Sequence, residues 1–357
     1  MVRNKHIALG MTVACGTILA LSPTVSASPK PSWQQAVSSH HAVVDGQPVN
    51  WVSINVHNPH VSVRPVVANN TFGTTSSLAS MANSVGAIAA INGTFFNSWS
   101  NRFPTGAIEI NGQFQNDSQG TILGIGQKGQ LVMTRAKESL SVEVHDDTNP
   151  ISQLWPWYLN VPSTNSDRVS VLTSYFGKTT KDKTANVVTV QHNTVQGIHK
   201  GVTPIPVGGY AVEIGSGSAS LLDRIHVGDP VNFSVSVQSL DGHSIDFSQY
   251  PNAIGAGPMI VDNKQIVLNP KLEGFTDPVL LNTNTLRSFV GIDSSGNLIL
   301  GTIHSATLST EAKIAHSLGL KQAMNLDGGS STGLYFNGTY VTRPGRNLAT
   351  ALVVSYK

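Results

Sequence analysis

The segment MNLDGGSSTGLYFNG, residues 324–338, places one carboxylate, Asp327, directly before two glycines. Gly328 and Gly329 allow positive backbone φ angles and let a ligand approach the main-chain N–H groups closely. Successive N–H groups that point the same way bind anions, and the hydroxyl of Ser330 adds a donor. Asp327 can accept a proton or orient a hydroxyl beside such a site. The segment therefore predicts a phosphate or sugar site, and a glycine-rich hairpin with an Asx turn is the alternative.

Five more polar residues lie where they could join such a site. Asn92, in AAINGTFFN, can bond a sugar hydroxyl, and Asn325 has the same kind of position at the end of an apolar segment. Arg287, in NTLRSFVGID, carries a planar guanidinium that matches a phosphate with two parallel hydrogen bonds. Arg346 offers the same chemistry, and a solvated surface charge is the alternative for both arginines. His304 can act as a general acid, with a purely structural histidine as the alternative.

Two predicted helices position the two asparagines. Residues 74–86 and 309–319 both have apolar side chains at helical spacing, and both end in a glycine. Ser309 is the expected N-cap of the second helix. In both cases an apolar strand follows and ends six positions after the glycine, at Asn92 or Asn325. This repetition predicts that the two strand ends converge on one cleft, and chance is the alternative.

The rest of the chain is rich in short strand patterns and turn signals. Residues 49–68 alternate between apolar and polar side chains, as half-buried strands do. Further strands are predicted at residues 108–110, 122–125, 131–133, 140–144, 169–173, 186–190, 231–237 and 259–261. Many strands and few helices predict an α+β fold, with a twisted, mixed or largely antiparallel sheet at its core.

The overall composition excludes several classes of partner. Of the 357 residues, 40% are hydrophobic and 12% are charged, and the formal net charge is +2. The chain can therefore form a proper core, and it has no charge excess that would favour nucleic acid as a partner.

The N-terminal 27 residues predict a secretory signal peptide. Arg3 and Lys5 precede an apolar run that ends in small residues at a typical cleavage position. The single cysteine, Cys15, lies in that run, and a lipid anchor on it is the alternative. No later segment reaches about 18 uninterrupted apolar residues, so we expect no transmembrane segment in the mature chain. The mature protein is then a secreted or envelope protein, with a lead-in over residues 28–59 and one domain over 60–357.

Four segments in order resemble the phosphodiester glycosidase family. They read AAINGTFF, GAGPMIVDNKQ, RSFVGIDSSGNLILGTI and LGLKQAMNLDGGSSTGLYFNGTYVTRPGRNLATALVV. The family includes the catalytic domain of the lysosomal uncovering enzyme, which removes N-acetylglucosamine from a sugar phosphodiester. The resemblance runs from about residue 60 to the C-terminus, and the Asn-Leu-Asp-Gly-Gly segment is its most specific part. It implies a secreted hydrolase of sugar-1-phosphodiesters in envelope or exopolysaccharide metabolism, with a sugar phosphodiester or envelope polysaccharide as substrate.

The resemblance also implies which residues form the pocket. It implicates Asn92, Arg287, Asn325, Asp327, Gly328 and Gly329, with Asp293 and Arg346 as weaker additions. The chain departs from the family pattern at Thr94 and Ser330, where many members have glycine or alanine, and it lacks an arginine that animal-type members carry near the position of His304.

The chemistry of a phosphate leaving group suggests a role for each residue. We expect Arg287 and the amides of Gly328–Ser330 to bind phosphate, Asp327 to be base or nucleophile, and Asn92 and Asn325 to hold sugar hydroxyls. The sequence requires no cofactor, although Asp327 and Asp293 could bind Ca²⁺. A non-catalytic carbohydrate- or wall-binding protein with the same pocket is the alternative. The anomeric outcome and the oligomeric state stay open.

Overall fold

We describe the fold from a computed structural model, which describes Met1 and residues 32–146, 149–162 and 164–357. Apart from Met1, the predicted signal peptide lies outside the described residues. Strands make up 47% of the structure and helices 14%, so the expected α+β fold is dominated by its sheets. Within the described ranges, none of the helices combines the length and the apolar character that a membrane span needs.

The described residues form twenty-five strands. They are β1 Val37–Val44, β2 Gln47–Ile54, β3 Val61–Val67, β4 Ala87–Asn92, β5 Ile108–Ile110, β6 Gln113–Asn116, β7 Gln119–Ile125, β8 Leu131–Asp146, β9 Asn149–Leu154, β10 Tyr158–Leu159, β11 Val169–Leu172, β12 Asn186–Gln191, β13 Thr194–Lys200, β14 Tyr210–Ile214, β15 Val231–Ser239, β16 Ser244–Ile245, β17 Asn252–Ala256, β18 Met259–Asp262, β19 Gln265–Ile266, β20 Thr285–Ile292, β21 Leu298–Ala306, β22 Gln322–Asn325, β23 Leu334–Phe336, β24 Thr339–Thr342 and β25 Thr350–Tyr356.

Three α-helices interrupt the strands in the part of the chain that the structure describes: α1 Leu78–Asn83, α2 Pro278–Asn282 and α3 Leu308–Ser317. Short 3₁₀ segments lie at Ser32–Gln35, Ala68–Asn70, Ser216–Arg224, Pro270–Glu273 and Gly329–Ser331. Helix α1 falls inside the predicted segment 74–86, and α3 begins one residue before the predicted segment 309–319. The N-cap of α3 is Thr307, whose side chain accepts from the N–H of Thr310, so the expected cap at Ser309 was wrong. Past each helix the chain turns at a glycine with positive φ, 62° at Gly86 and 74° at Gly319.

Two sheets and two helices form a four-layer arrangement. The first sheet has the order β1-β2-β21-β20-β22-β18-β19, and the second has the order β24-β23-β4-β25-β3. Because strand side chains alternate between faces, each sheet buries one set of residues against the other sheet and one set against a helix. Val290 and Ile91 lie in the core between the sheets. The outer face of the first sheet packs against α3, and that of the second against α1.

The N-terminal lead-in expected over residues 28–59 contains two full strands of the first sheet. Strand β1 pairs with β2 along all eight of its residues. Strand β2 then pairs with β21 from Val49 to Ile54. Val52 and Ile54 are fully buried in the core between the sheets. These residues are therefore part of the same packed unit as the C-terminal strands.

The middle of the chain builds two more sheets around a second core. One has the order β16-β15-β8-β7-β17-β5-β6, with β9 paired to β8, and the other has the order β10-β11-β14-β12-β13. The strands predicted at 131–133 and 140–144 are one continuous strand, β8, because its first half pairs with β7 and its second half with β15. Among the described strand pairs, β10 with β11 is parallel and the others are antiparallel.

Gly301 marks a point of close packing in the first sheet. It pairs with Trp51 on one side and with Phe289 on the other. A Cβ added at Gly301 would lie 2.0 Å from Cζ of Phe289, whose ring is fully buried. We therefore expect Gly301→Ala to lower the free energy of unfolding by about 1–3 kcal/mol, since the ring must move in a packed core.

Urea denaturation measures this change. The control is Ser53→Ala on the neighbouring strand β2, where we expect a change within about 0.5 kcal/mol because the side chain is only half-buried. Equal stability of Gly301→Ala and the unaltered protein would contradict the packing described.

Candidate functional site

Asp327 lies between the end of a buried strand, β22, and the loop that contains Gly328 and Gly329, called here the glycine loop. Strand β22 pairs with β20, and Asn325, its last residue, lies opposite Phe289. Leu326 is fully buried, and its N–H donates to the carbonyl of Ser288. Gly328 and Gly329 follow and are half-exposed, and Gly329 has a φ of 58°. Asp327 is therefore the last buried residue before a half-exposed stretch of main chain.

The Asp327 carboxylate is buried and has one cationic neighbour. Its side chain lies 3.4 Å from Arg346, measured from Oδ2 to Nη2. Burial raises the pKa of Asp327 to about 6, while the Ser331 hydroxyl, the Arg346 guanidinium and the Gly328 N–H act in the opposite direction. Asp327 is therefore mostly ionised at neutral pH, but it is far more basic than an exposed aspartate.

Arg346 is the cation that contacts this acid. Its Nε donates to Oγ of Ser331 at 2.8 Å. Its guanidinium also lies over the ring of Phe96, at 5.0 Å from the centroid. Phe96 belongs to the AAINGTFFN segment, so this segment contacts Arg346 through an aromatic ring. Arg346, a weaker addition by resemblance, thus lies in direct contact with Asp327.

Arg287 lies under the glycine loop and is almost fully buried. Its Nε donates to the carbonyl of Ala306, and its Nη2 donates to the carbonyls of Leu280 and Thr283. A Cβ built on Gly328 would lie 3.9 Å from Nη1 of Arg287. The structure therefore brings Arg287 next to the residue that follows Asp327. Three main-chain carbonyls already occupy Nε and Nη2, which leaves Nη1 as the nitrogen that faces the loop.

Glu311 of α3 is fully buried near Arg287 and was not among the residues predicted for the site. Burial raises the pKa of its carboxyl to about 8, and the charge of Arg287 acts in the opposite direction. Neither carboxyl oxygen has a hydrogen-bond partner among the described residues. A carboxyl with this pKa is mostly protonated at neutral pH, so it does not neutralise the positive charge that the Arg287 guanidinium carries. The available signal was a glutamate on the apolar face of the predicted helix, beside Ala312 and Ala315.

Asn92 fixes the loop from the second sheet. Its Nδ2 donates to the carbonyl of Asp327 at 2.6 Å. Its Oδ1 accepts from Oγ of Ser288 at 2.7 Å and from the N–H of Gly333 at 3.0 Å. The two predicted strand ends do converge, since this contact joins the end of β4 to the loop after β22. Because these contacts use the amide of a residue that is only 1% exposed, Asn92 holds protein backbone rather than presenting itself to a sugar.

Asn325 and Thr94 are buried behind the loop. Nδ2 of Asn325 donates to the carbonyl of Gly257 at 2.8 Å, while its Oδ1 has no partner among the described residues. The Thr94 hydroxyl also lacks a partner there, and its N–H donates to Oγ1 of Thr350. Ser330, by contrast, is exposed at the open side of the loop.

Of the other predicted site residues, Asp293 lies away from the cluster around Asp327, Arg287 and Arg346, and His304 lies beside it. Asp293 follows the far end of β20, six residues or roughly 20 Å from Arg287. Its carboxylate accepts from the N–H groups of Ser295 and Asn297, so it closes the turn before β21. Asp293 and Asp327 therefore do not meet as the Ca²⁺ pair that we expected. His304 is exposed on β21, at the bulge opposite the start of β20.

The described residues contain no cluster of three or more His, Cys, Asp and Glu side chains suited to a metal ion.

Comparison with known proteins supports three of the four resembling segments, because AAINGTFF lies before the matched region. The model of the family described as phosphodiester glycosidase matches residues 179–355. Over these residues the chain is similar to the phosphodiester glycosidase family. The matched region contains Arg287, the Asp327 loop and Arg346, whereas Asn92 lies before it. None of the curated proteins matches this chain.

Two of the solved structures that are similar to this chain share its fold. A hypothetical protein from Synechocystis is 26% identical with a TM-score of 0.77, and the match covers 91% of this chain and 63% of that protein. The chain thus spans less than two thirds of that relative. A Burkholderia pseudomallei protein whose name describes it as exported is 18% identical with a TM-score of 0.70, covering 87% and 74% of the two chains. The zebrafish N-acetylglucosamine-1-phosphodiester alpha-N-acetylglucosaminidase catalytic domain, auto-inhibited by its pro-peptide, is 14% identical with a TM-score of 0.47, covering 90% and 82%.

The raised pKa of Asp327 predicts that this carboxylate destabilises the folded protein at neutral pH. A raised folded-state pKa means that folding favours the protonated acid, so stability is lost as the pH rises from about 4 through about 6. We expect Asp327→Asn to raise the free energy of unfolding at pH 7.5 by about 1–3 kcal/mol. Urea denaturation at pH 7.5 and at pH 3.5 measures the effect, which should vanish at the lower pH. A variant less stable than the unaltered protein at pH 7.5 would contradict the electrostatics described.

Proposed function

We propose that the protein is a secreted hydrolase that cleaves a glycosyl phosphodiester linkage in cell-envelope or extracellular polysaccharide metabolism. Its family supports hydrolysis of this class of bond. The observation that carries the proposal is the buried Asp327 carboxylate, which touches Arg346 and is followed at once by the half-exposed Gly328 and Gly329. An acid of raised pKa, a cation and open main-chain amides are what this reaction needs in one place.

The demands of the reaction explain why a second carboxylic acid is dispensable. Cleavage breaks the bond between the anomeric carbon and the phosphate oxygen, and the electron pair leaves with the phosphate monoester. A phosphate oxygen leaves readily without a strong general acid, unlike the sugar oxygen in ordinary glycosidases. The protein must instead stabilise negative charge on the departing phosphoryl group and position the attacking group.

The glycine loop and the two arginines suit the phosphoryl group. Gly328 and Gly329 are half-exposed and Ser330 is exposed, so their N–H groups are the candidate donors, and a 3₁₀ turn begins at Gly329. Nη1 of Arg287 lies beside Gly328. Arg346 keeps 29% of its side chain exposed and can reach a ligand while it contacts Asp327. Charged donors in a partly buried site bind phosphate more strongly than neutral ones.

Asp327 then acts at the anomeric carbon in one of two ways. As a general base, it takes a proton from water while the water oxygen bonds to the carbon. As a nucleophile, its own oxygen bonds to the carbon, and water hydrolyses the resulting ester in a second step. Both roles require the ionised carboxylate. Asn92 supports either role by holding the Asp327 carbonyl, which fixes the direction in which the side chain leaves the backbone.

A non-catalytic carbohydrate- or wall-binding protein is the second candidate function. The observation in its favour is that Asn92 and three donors of Arg287 are already bonded to the protein, so fewer groups are free for substrate than the family resemblance implies. Turnover distinguishes the two functions.

Release of free sugar from UDP-N-acetylglucosamine or from a methyl-phosphate glycoside tests the proposal. We expect the unaltered protein to release sugar and Asp327→Asn to be slower by about 100-fold or more, because the base or nucleophile is lost. Asp293→Asn is the matched control, since this carboxylate lies in a distant turn, and it should keep full activity. No release by the unaltered protein favours the binding function, and equal rates for both proteins would remove Asp327 from the mechanism.

The pH dependence of turnover is expected to follow the Asp327 carboxyl. Activity, as kcat/KM, should rise as the pH passes about 6 and then level off, because Asp327 must be ionised. Arg346→Gln removes the neighbouring positive charge and should move this limb upward by about 0.5–1 pH unit. Arg343→Gln is the matched control, because Arg343 stacks on Tyr340 instead. An unshifted limb in Arg346→Gln would contradict the contact between Arg346 and Asp327.

Secretion and metal use are proposals that two simple measurements address. Mass spectrometry of the protein exported by a bacterial host should find Ser28 at the mature N-terminus, and a lipid-modified Cys15 would indicate an anchor instead. Activity before and after chelation tests whether Ca²⁺ takes part.

A further inference from the structure

A large groove lies away from the Asp327 loop. It is a groove of about 830 Å³, lined by the β5–β6 hairpin, the turn between β12 and β13, the start of β14, and strands β15 and β16. None of the described residues that line it belongs to the cluster around Asp327, Arg287 and Arg346. Its volume falls within the range of about 300–1,000 Å³ that ligand pockets occupy.

The lining combines aromatic rings with uncharged polar groups. Tyr210 and Phe233 pack together inside it, with ring centroids 5.6 Å apart, and Tyr175 adds a third ring. Glutamine, asparagine and serine side chains supply most of the polar atoms, among them Gln191 and Asn193. The described lining residues include Glu109 and Asp246 but neither lysine nor arginine. An anionic ligand would therefore meet carboxylates with no permanent cation to balance them.

Two buried polar atoms in the groove lack partners. Glu109 is only 6% exposed, and its Oε2 has no hydrogen-bond partner among the described residues. The hydroxyl of Tyr210 is also buried without one. Glu109 pairs across the hairpin with Phe114, another lining residue, and cross-strand partners lie on the same face of a sheet. A buried polar atom without a partner is costly, and a bound ligand is one of the few explanations for it.

The protonation of Glu109 indicates the kind of ligand. Burial raises the pKa of its carboxyl to about 8, so it is mostly protonated at neutral pH and can donate a hydrogen bond. Tyr210 also donates or accepts through a neutral hydroxyl. Neutral donors and acceptors between aromatic rings match a ligand that has many hydroxyls and apolar ring faces. A sugar chain has both.

We propose that this groove binds a neutral stretch of oligosaccharide, separately from the phosphodiester-cleaving site. Tyr210 and Phe233 provide the stacking surface, and Glu109 with the Tyr210 hydroxyl bonds the sugar hydroxyls. The groove thereby holds a polymer chain on the protein whether or not Asp327 acts on it. This inference does not depend on the function proposed above.

Isothermal titration calorimetry of the full chain with maltotetraose, cellotetraose and chitotetraose tests the groove. We expect at least one of them to bind. Tyr210→Phe should weaken that binding by about fivefold, the equivalent of one hydrogen bond. Phe233→Ala should weaken it by about tenfold or more through loss of the ring. Tyr250→Phe removes the same hydroxyl from a ring that does not line the groove but packs behind the lining residue Phe247, and this variant should bind as the unaltered protein does.

Asp327→Asn separates the two sites. It should keep full affinity for the tetrasaccharide, and inorganic phosphate should not compete with the sugar. No heat with any of the three sugars, unchanged affinity in both groove variants, or loss of binding in Asp327→Asn would each overturn the proposal. Tyr210→Phe removes a single hydroxyl, so it serves as the deciding variant if Phe233→Ala does not fold.

Discussion

The side-chain amide of Asn92 joins the two packed sheets at the point where Asp327 leaves its strand. Its nitrogen holds the Asp327 carbonyl, and its oxygen receives the Ser288 hydroxyl and the Gly333 N–H. These contacts link β4 of one sheet to β20 and to the loop after β22 of the other. All of them are buried, where a lost hydrogen bond leaves unpaired polar atoms without water to replace it. The position of the candidate acid therefore depends on this one side chain.

Burial raises the pKa of Asp327 and, for the same reason, lowers the stability of the folded protein at neutral pH. Asp327 is basic because water is largely excluded from it, and Arg346 limits the effect without cancelling it. Arg287 and Glu311 form a second buried pair beneath the same loop. Because Glu311 is mostly protonated, it leaves the charge of the guanidinium unbalanced, while the guanidinium donors hold three backbone carbonyls. A guanidinium held in place beneath two glycines is preorganised to bind an anion, because it needs no rearrangement when the anion arrives.

The two candidate sites lie in different parts of the fold. The helix-covered pair of sheets carries the family motifs and the acid, whereas the middle of the chain builds a second core and the uncharged, aromatic groove. One site is rich in cations and the other has none among its described lining residues. This contrast in charge suits a phosphate at the first site and a neutral sugar chain at the second.

Local patterns in the sequence determined the elements and the motifs. Alternation and short apolar runs predicted fewer than half of the described strands, glycines ended both helices, and the Asn-Leu-Asp-Gly-Gly segment indicated the family region and the loop. Only the tertiary structure showed that Asn92 and Arg287 hold backbone, that Arg346 touches Asp327, and that Asp293 closes a distant turn. It alone also revealed Glu311 and the groove around Glu109. The physical reason is that hydrogen-bond partners and burial are set by the packing of the whole chain, as between Asn92 and Asp327, which lie 235 positions apart, and local periodicity does not encode that packing.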